Sequence, residues 1–339
     1  MNWLITGGCG FIGRNLIRSL LADEFGHRIR VVDNLTTGKL SDLAAVCTVV
    51  ELNADNLNSV TPPLASNTVE LVIGDIKDRS LAMQATMDFN IVVHLAGDTG
   101  VAMSVTDPLG SCQNNVVGTL NYLEASRIAK VEKFIFASSG APIGDCEPPL
   151  HEELPAHPVS PYGASKLCGE AYCSAYKRSF GLETVCLRFS NVYGPLSGHK
   201  GSVVAKFIRD AIEDRPWKIY GNGEQTRDFI YIDDLVAATK AAAICSDIGG
   251  EVFQVASGLE TSVIDLANKL KVILLEAGIE TAGIRSLPKR VGDVERNFSD
   301  TRKANSRLGW ACQTNLEQGL RATVDWFRGE INGGQISGR

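Results

Sequence analysis

The sequence has no excess of positive charge, no long apolar run and no recognisable targeting segment. Lys and Arg number 33 against 39 Asp and Glu, a formal net charge of -6, so nothing favours nucleic acid or an anionic membrane as a partner. No apolar run approaches the roughly 20 residues that span a bilayer. The first residues, MNWLITGG, lack the basic stretch and apolar core of a signal peptide. These absences predict a cytoplasmic protein that binds neither membranes nor nucleic acids.

Cysteine is present, but its pattern argues against two uses. The nine cysteines are an odd number and lie scattered along the chain, with no C-x-x-C pair. A zinc site and a disulfide framework are therefore both unexpected. We predict free thiols in a reducing compartment and no bound metal.

The first half of the chain alternates short apolar runs with helical patterns. The runs are rich in Val, Ile, Leu and Phe, as parallel strands buried on both faces are. They predict strands at 2–6, 28–33, 69–75, 90–97, 132–139 and 183–189. Helical patterns occur at 11–22, 109–128 and 161–180. This alternation predicts an α/β fold with a Rossmann-type, doubly wound parallel sheet.

A chain of 339 residues is long enough for two structural portions. We predict a Rossmann domain at 1–188 and a smaller C-terminal α/β portion at 189–330 that returns in part to the first. A frayed tail follows at 331–339. Beyond residue 190, loops rich in Gly and Pro separate helices predicted at 203–214, 232–246, 262–277 and 316–329.

A glycine-rich turn follows the first predicted strand and opens the first predicted helix. Gly7, Gly10 and Gly13 give the spacing G-x-x-G-x-x-G, which permits a tight turn, close approach of the backbone to a diphosphate, and close helix–strand packing. The helix N-terminus then presents N–H groups to the phosphates. Glycine spacing alone is a weak signal, and a capped turn beside a surface carboxylate is the alternative interpretation.

Asp33 strengthens the nucleotide interpretation. It ends the next predicted strand, 20 residues after Gly13, where an acidic residue can accept hydrogen bonds from ribose hydroxyls. A carboxylate at this position would repel a 2′-phosphate, so the sequence predicts NAD rather than NADP. Asp75 and the run HLAG at 94–97 follow further strand ends, and ligands of such sheets lie at this edge.

Tyr162 and Lys166 lie one helical turn apart in the segment SPYGASK. Ser160 and Pro161 are favoured residues for starting that helix, and Ser139 ends the strand KFIFASS at the predicted cofactor edge. Lys166, the helix N-terminus and an oxidised nicotinamide would each favour the phenolate, which predicts a lowered pKa of Tyr162. Taken alone, Tyr-x-x-x-Lys is usually an exposed helix face. With the glycine turn and Ser139 present, we predict that Tyr162 takes the proton of a sugar hydroxyl while hydride passes to NAD.

At these residues the chain resembles the extended short-chain dehydrogenase/reductases, in the group of NAD-dependent sugar epimerases and dehydratases. The resemblance covers residues 2–327 and is strongest to UDP-glucose 4-epimerase-like proteins. The ordered motifs that carry it are TGGCGFIG (6–13), VVDNLTTG (31–38), GDI (74–76), HLAG (94–97), NNVVGTLNYLEA (114–125), SPYGASK (160–166), LRFSNVYGP (187–195), RDFIYIDDL (227–235) and KRVGDV (289–294).

The resemblance implies roles for residues at matched positions. The expected NAD contacts are Gly7, Gly10, Phe11, Ile12 and Gly13 at the diphosphate, Asp33 and Asn34 at the adenosine ribose, Asp75 and Ile76 at adenine, and further contacts from Leu95, Ala96, Gly97, Asn114, Ser138, Tyr162 and Lys166. The expected substrate contacts are Ser139 at the sugar, Asn191 at the diphosphate, Arg227 and Arg290 at the nucleotide phosphates, and Asp293 at the nucleotide ribose. The substrate is expected to be a UDP-sugar. A homodimer packed through the helices at 109–128 and 161–180 is also implied.

The segment after Ser139 bears on the reaction. Members of the group that resemble 4,6-dehydratases carry an Asp-Glu pair there, and related decarboxylases carry a Glu, whereas this chain has Gly-Ala-Pro-Ile-Gly at 140–144. Epimerisation at C4 needs only Tyr162, NAD and room for a 4-keto sugar to turn, so the sequence favours a nucleotide-sugar 4-epimerase. A dehydratase, decarboxylase or dehydrogenase on the same scaffold is the alternative, and a non-catalytic NAD-binding protein is disfavoured.

At three places the chain departs from the residues that are usual in the group, so the identity of the substrate sugar is not determined. Pro142 and Ile143 replace a usual Val-Tyr pair and remove an aromatic from the expected sugar pocket. Asp98 and Thr99 stand where a lysine or glutamine is common. Arg296 and Asn297 occupy another stretch that often shapes this pocket. The sequence leaves a neutral hexose, an N-acetylhexosamine and a hexuronic acid all open.

Overall fold

Strands and helices alternate through most of the chain. The structure, a computed structural model, describes residues 1–24, 26–53, 57, 67–289 and 294–332. Its strands are β1 (Asn2–Thr6), β2 (Arg28–Asp33), β3 (Thr48–Leu52), β4 (Thr68–Ile73), β5 (Ile91–His94), β6 (Lys133–Ser139), β7 (Thr184–Phe189), β8 (Asn191–Tyr193), β9 (Trp217–Tyr220), β10 (Thr226–Arg227), β11 (Phe229–Tyr231), β12 (Glu251–Val255), β13 (Thr261–Ser262) and β14 (Ile284–Leu287). Its helices are α1 (Phe11–Leu21), α2 (Leu40–Ala44), α3 (Arg79–Thr86), α4 (Val101–Thr106), α5 (Pro108–Cys112), α6 (Gly118–Ala129), α7 (Pro161–Phe180), α8 (Val203–Ile212), α9 (Ile232–Ile244), α10 (Val263–Glu276), α11 (Arg302–Leu308) and α12 (Leu316–Asn332).

Eight strands form one sheet in which all neighbours run parallel. Their order is β3-β4-β2-β1-β5-β6-β7-β12. The chain starts in the middle of the sheet, builds outward on one side, and then crosses over to continue at β5. This reversal beside β1 defines a doubly wound sheet, and the predicted fold class is confirmed.

Both faces of the sheet are covered by packed side chains. Trp3 and Ile5 of β1 belong to one core, which includes Leu16 of α1. Leu4, between them in the chain, belongs to a second core with Leu81 of α3 and side chains of α6. Neighbouring residues of a strand point to opposite faces, so a strand covered on both sides is rich in apolar residues. β1 fits this rule, whereas β2 also holds Arg30, which is buried and paired with Glu70.

The segment predicted as a helix at 109–128 is helical, but it is not one regular α-helix. The segment forms α5 and α6, joined by a π-helical turn at Gln113–Val117. The turn has i→i+5 hydrogen bonds and so holds one residue more than an α-helical turn would. Nothing in the apolar spacing distinguishes the two kinds of turn.

Two elements beyond residue 190 return to the sheet. β12 pairs with β7 at the sheet edge, and α9 contributes buried side chains to the same core as α1. The division of the chain near residue 188 stays a prediction. Of the helices that the structure describes, none has the length and apolar character needed to cross a bilayer.

Candidate active site

The carboxyl ends of five adjacent strands meet at one edge of the sheet. Thr6, the last residue of β1, pairs with Val32 of β2 on one side and with His94 of β5 on the other. His94 in turn pairs with Phe136 of β6. Because all these strands run parallel, the segments that follow them lie side by side, which is where an open α/β sheet binds its ligand.

The glycine turn lies at the centre of this edge. Gly7 has φ +72, and a Cβ atom there would lie 2.8 Å from the backbone nitrogen of Ala96. A Cβ atom at Gly13 would lie 2.7 Å from the Gly7 carbonyl oxygen. Both positions therefore require glycine, and the turn passes as close to its neighbours as predicted.

The first turn of α1 presents free backbone donors at this edge. Gly10 precedes the helix in an extended conformation, and no side chain in the described ranges caps it. Phe11 and Ile12 are the first two helical residues and pack partly against the core. An uncapped helix start with glycine-lined access is suited to a diphosphate.

Asp33 lies under the glycine turn. Its side chain is 8% exposed, and its two oxygens accept the N–H groups of Cys9 and Leu35, each at 2.9 Å. Burial raises the pKa of the Asp33 carboxyl, and these backbone hydrogen bonds act in the opposite direction. Each oxygen keeps a second lone pair for a ribose hydroxyl. Asn34 is exposed, and its side-chain oxygen accepts the Thr36 N–H at 3.2 Å.

The ends of β4 and β5 supply the next predicted contacts. Asp75 accepts the Lys77 N–H at 2.9 Å, and Ile76 is buried against Gly118, where a Cβ atom would lie 2.6 Å from the Ile76 side chain. The N–H groups of Leu95 and Ala96 donate to the Thr6 carbonyl and hydroxyl, at 3.1 and 3.2 Å. These bonds fix the β5 segment beside the glycine turn.

Ser139, Tyr162 and Lys166 lie together at the same edge. α7 begins after Ser160, whose hydroxyl caps it by accepting the Gly163 N–H at 3.1 Å. The Tyr162 hydroxyl lies beside the Ser139 side chain, which favours the ionised form of the phenol. The Lys166 ammonium donates to the Ala137 carbonyl at 2.8 Å.

The expected lowering of the Tyr162 pKa is wrong for the chain alone. Burial raises the pKa of Tyr162, and the neighbouring Ser139 hydroxyl only partly opposes this rise. The Lys166 ammonium is held by Ala137 and lies 4.9 Å from the ring centre of Phe136 instead of acting directly on the phenol. Burial also lowers the pKa of Lys166 to about 8, against the opposing charges of Glu170 and Asp98. The spacing of the pair was readable from the sequence, but its burial was not.

His94 is a buried residue that the sequence analysis quoted without assigning. The Thr119 hydroxyl donates to the Asn115 carbonyl at 2.7 Å, so it accepts from His94 Nε2 at 3.2 Å. The other ring nitrogen, Nδ1, then accepts from the Thr6 hydroxyl at 2.9 Å. Both nitrogens are satisfied in the neutral ring, and burial together with the charge of Lys166 lowers the pKa of His94 to about 3.

The π-helical turn holds the loop after β5. Asn114 donates to the Asp98 carboxylate at 2.8 Å. The neighbouring Asn115 accepts the Asp98 N–H at 2.7 Å and donates to the Ser165 hydroxyl at 3.0 Å. A Cβ atom at Gly97 would lie 2.6 Å from the Asn115 side-chain oxygen. The turn therefore links this loop to the residue before Lys166, a use of π-helical geometry that is frequent at functional sites.

A buried ion pair lies beside Ser138 of β6. Ser138, a predicted cofactor contact, donates its hydroxyl to Glu170 at 2.5 Å. Arg188 donates to both Glu170 oxygens at 2.7 Å, and both charged side chains are 5% exposed. No spacing in the sequence signals this pairing, since the partners lie on different elements.

The predicted substrate residues lie in two small sheets beyond β7. Asn191 is exposed on β8, which pairs in parallel with β11. Arg227, on β10, donates to the Val294 carbonyl at 2.8 Å. It lies two residues before Phe229, the pairing partner of Asn191. Arg290 and Asp293 lie outside the described residues. Within the described ranges, no group of three or more His, Cys, Asp or Glu side chains is placed to hold a metal ion.

Comparison with known proteins identifies related chains. A family model described as the NAD dependent epimerase/dehydratase family matches residues 3–256. The UDP-glucose 4-epimerase of Mycolicibacterium smegmatis is 36% identical over 335 residues, which cover 97% of this chain and 99% of that protein.

Two solved structures share the fold along nearly their whole length. The UDP-glucose 4-epimerase of Thermotoga maritima, solved with UDP-glucose, superposes with a TM-score of 0.84 at 34% identity and covers 98% of this chain and 100% of that one. The UDP-glucuronic acid 4-epimerase of Bacillus cereus, solved with UDP-glucuronic acid and NAD, has a TM-score of 0.84 at 30% identity and covers 97% and 99%.

Proposed function

The chain belongs to the NAD-dependent epimerase/dehydratase family, and from this premise we propose that it is a UDP-hexose 4-epimerase working with bound NAD. One observation carries the proposal: Ser139, Tyr162 and Lys166 lie at the sheet edge that also holds the glycine turn and Asp33. A proton-transfer group is thus placed beside a dinucleotide site. The similar chains of Mycolicibacterium smegmatis and Thermotoga maritima support the reaction and the UDP-sugar class.

The dinucleotide would be held by groups already described. The first turn of α1 binds its diphosphate, Asp33 accepts the hydroxyls of its adenosine ribose, and Lys166 donates to its nicotinamide ribose. When bound, NAD supplies reversible hydride storage. The Asp33 carboxylate would repel the extra phosphate of NADP, so we expect NAD as the cofactor.

The chain supplies the proton chemistry. The Tyr162 oxygen takes the proton from the 4-hydroxyl of the sugar and later returns it, acting as base and then as acid. Ser139 hydrogen-bonds both the Tyr162 oxygen and the sugar oxygen, and so holds them at transfer distance. The Lys166 ammonium is held on the Ala137 carbonyl, from where it would donate to the nicotinamide ribose. Turning the 4-keto sugar before hydride returns inverts C4.

The segment after Ser139 favours epimerisation over elimination. Residues 140–144 carry no carboxylate, whereas dehydration or decarboxylation needs an added acid or base. Ile143 is buried, and its carbonyl accepts the His157 N–H at 3.1 Å. Gly144 has φ +80, and a Cβ atom there would lie 1.9 Å from the His157 carbonyl oxygen. The segment is therefore tightly packed and supplies no acid or base. A dehydratase, decarboxylase or dehydrogenase is the second candidate.

We propose that residues beyond β7 contact the nucleotide part of the substrate. Asn191 and Arg227 lie in adjoining small sheets, and Arg227 has a guanidinium fork suited to phosphate oxygens. Arg290 and Asp293, outside the described residues, are proposed to contact the nucleotide phosphates and ribose on the family pattern.

The proposed reaction is tested by proton NMR and mass analysis. Purified protein is incubated separately with UDP-glucose, UDP-N-acetylglucosamine and UDP-glucuronic acid, and the cofactor released by heating is identified by mass. We expect a new anomeric signal at unchanged substrate mass with one of the three sugars, and NAD as the released cofactor. Loss of water or carbon dioxide would move the protein to the dehydratase or decarboxylase reaction. No change with any of the three would contradict the UDP-hexose assignment.

We also propose a cytoplasmic homodimer. All nine cysteines are free thiols, which suits a reducing compartment, and cell fractionation would test this location. Packed helices α5, α6 and α7 present exposed apolar side chains, including Leu109 at 80% and Tyr172 at 38% exposure. We propose that this apolar surface is the interface between two copies.

Leu109→Glu is expected to convert the dimer into a monomer in sedimentation velocity, because a charge placed in an apolar interface is left unpaired. The matched control is Leu259→Glu, at a side chain 60% exposed elsewhere on the surface, which should leave the dimer intact. A wild-type monomer would reject the dimer, and an unaffected Leu109 variant would reject this face.

A further inference from the structure

Lys200 places a cation beside the first turn of α1. Its side chain is partly buried in the loop between β8 and α8, and its ammonium lies 4.6 Å from the ring centre of Phe11. The ammonium donates to the Val192 carbonyl at 2.9 Å, which uses one of its three hydrogens. Burial lowers the pKa of Lys200 to about 8. Among the carboxylates of the described ranges, none forms an ion pair with it.

The loop that carries Lys200 is tied to α1. Arg14 donates to the Leu196 carbonyl at 2.7 Å, and Asn15 donates to the Pro195 carbonyl at 3.1 Å. The Lys200 N–H donates to the Ser197 carbonyl at 2.9 Å. These bonds fix the position of the ammonium relative to the helix start. Lys200 is therefore part of the surroundings of the glycine turn, although it lies 187 residues after Gly13 in the chain.

Asp42 is an acidic side chain close to this loop, but its contacts are to other residues. It lies 4.0 Å from Arg14 and 4.0 Å from His199, and it does not pair with Lys200. A partly buried ammonium without a counter-charge raises the free energy of the folded protein unless a ligand compensates it. The uncapped helix start and the glycine turn already favour an anion at this place.

We propose that Lys200 binds the diphosphate of the dinucleotide cofactor. This assignment rests on the proposed function, which requires NAD at the glycine turn. The two remaining ammonium hydrogens donate to phosphate oxygens, while the bond to Val192 and the Phe11 ring hold the side chain in place. The cofactor thereby supplies the counter-charge that the folded chain lacks. The substrate also contains a nucleoside diphosphate, which is expected at Asn191 and Arg227. The test must therefore distinguish an effect of Lys200 on NAD binding from an effect on UDP binding.

The test compares Lys200→Met with wild type in binding and in stability. Dissociation constants for NAD and for UDP are measured by calorimetry on the full chain. We expect the Met variant to bind NAD about 10- to 100-fold more weakly, as for loss of hydrogen bonds to a charged group, and UDP with unchanged affinity. Thermal unfolding without nucleotide should occur at the same or a higher temperature, because an uncompensated charge has been removed. The stabilisation by added NAD should shrink.

The matched control is Lys206→Met. Lys206 lies on α8 and pairs with Asp210 at 2.5 Å, so its loss should leave NAD affinity unchanged. A second measurement guards against a general packing defect: rising salt should weaken NAD binding by wild type more than by the Lys200 variant.

Three outcomes would overturn the assignment to Lys200. These are unchanged NAD affinity in the Met variant, weaker UDP binding with unchanged NAD binding, and a lowered unfolding temperature of the nucleotide-free variant with an unaltered salt response. A wild-type chain that binds UDP-sugars but not NAD would overturn the proposed function itself, and the assignment with it. The two failures are therefore distinguishable.

Discussion

Tyr162→Phe is expected to lower turnover by about 10²- to 10⁴-fold, the usual contribution of a positioned acid–base group. Phe keeps the ring, so packing at the start of α7 is preserved, but it lacks the oxygen that Ser139 contacts. Without that oxygen, no group of the chain takes the proton of the sugar 4-hydroxyl. Turnover is measured by NMR with the UDP-sugar that the wild type epimerises.

The controls separate chemistry from structure. Tyr172→Phe removes a hydroxyl from the same helix at an exposed position and should retain full activity. The Tyr162 variant should still contain NAD and unfold at nearly the wild-type temperature, because the glycine turn and Asp33 are untouched. A Tyr162 variant with activity within threefold of wild type would remove this residue from the mechanism.

Glu170→Gln is expected to destabilise the protein by about 3–5 kcal/mol, the penalty for breaking a buried ion pair by removing one partner. The Arg188 guanidinium would keep its charge at 5% exposure with no carboxylate to compensate it. Ser138 would also lose its charged acceptor. The free energy of unfolding is measured by urea denaturation in the absence of nucleotide.

Two further variants test whether the loss of stability depends on burial of the ion pair. Glu124→Gln removes a carboxylate from the surface pair with Arg127 and should have a much smaller effect, because solvent screens exposed pairs. Glu170→Leu combined with Arg188→Leu removes both charges, and buried pairs replaced in this way often lose little or no stability. The double variant should therefore be more stable than Glu170→Gln. Equal destabilisation by the Glu124 and Glu170 variants would contradict the buried pairing.

Local sequence features predicted the parts of the fold that depend on local physics. The strands at 2–6 and 28–33 were predicted with the observed bounds, because strands covered on both faces are rich in apolar residues, although β2 also holds the buried Arg30. The helix at 161–180 was predicted with the observed bounds, and the structure shows Ser160 as its cap and a left-handed Gly181 at its end. β12 was missed, since its place in the sheet depends on pairing with β7, which its own five residues do not encode.

The candidate site shows the same limit. The spacing of Tyr162 and Lys166 is fixed by one turn of helix, so the sequence could place both on one face. The direction of the Tyr162 pKa depends on burial and on where the Lys166 ammonium points, and both are set by distant elements. The neutral state of His94 and the contact between Lys200 and Phe11 likewise join residues that are far apart in the chain. Such contacts become visible only in the folded protein.

The π-helical turn at Gln113–Val117 changes the rotation of the helix about its axis between α5 and α6. One extra residue rotates the following helix by about 100° relative to a continuous α-helix. The face of α5 that carries exposed Leu109 is therefore set independently of the face of α6 that packs on Ile76 and His94. Sequence change on the outer face, where a second copy would bind, can proceed without disturbing the inner face, where the neutral histidine is held. The turn thus lets the outer face of α5 and the inner face of α6 change independently within a single stretch of chain.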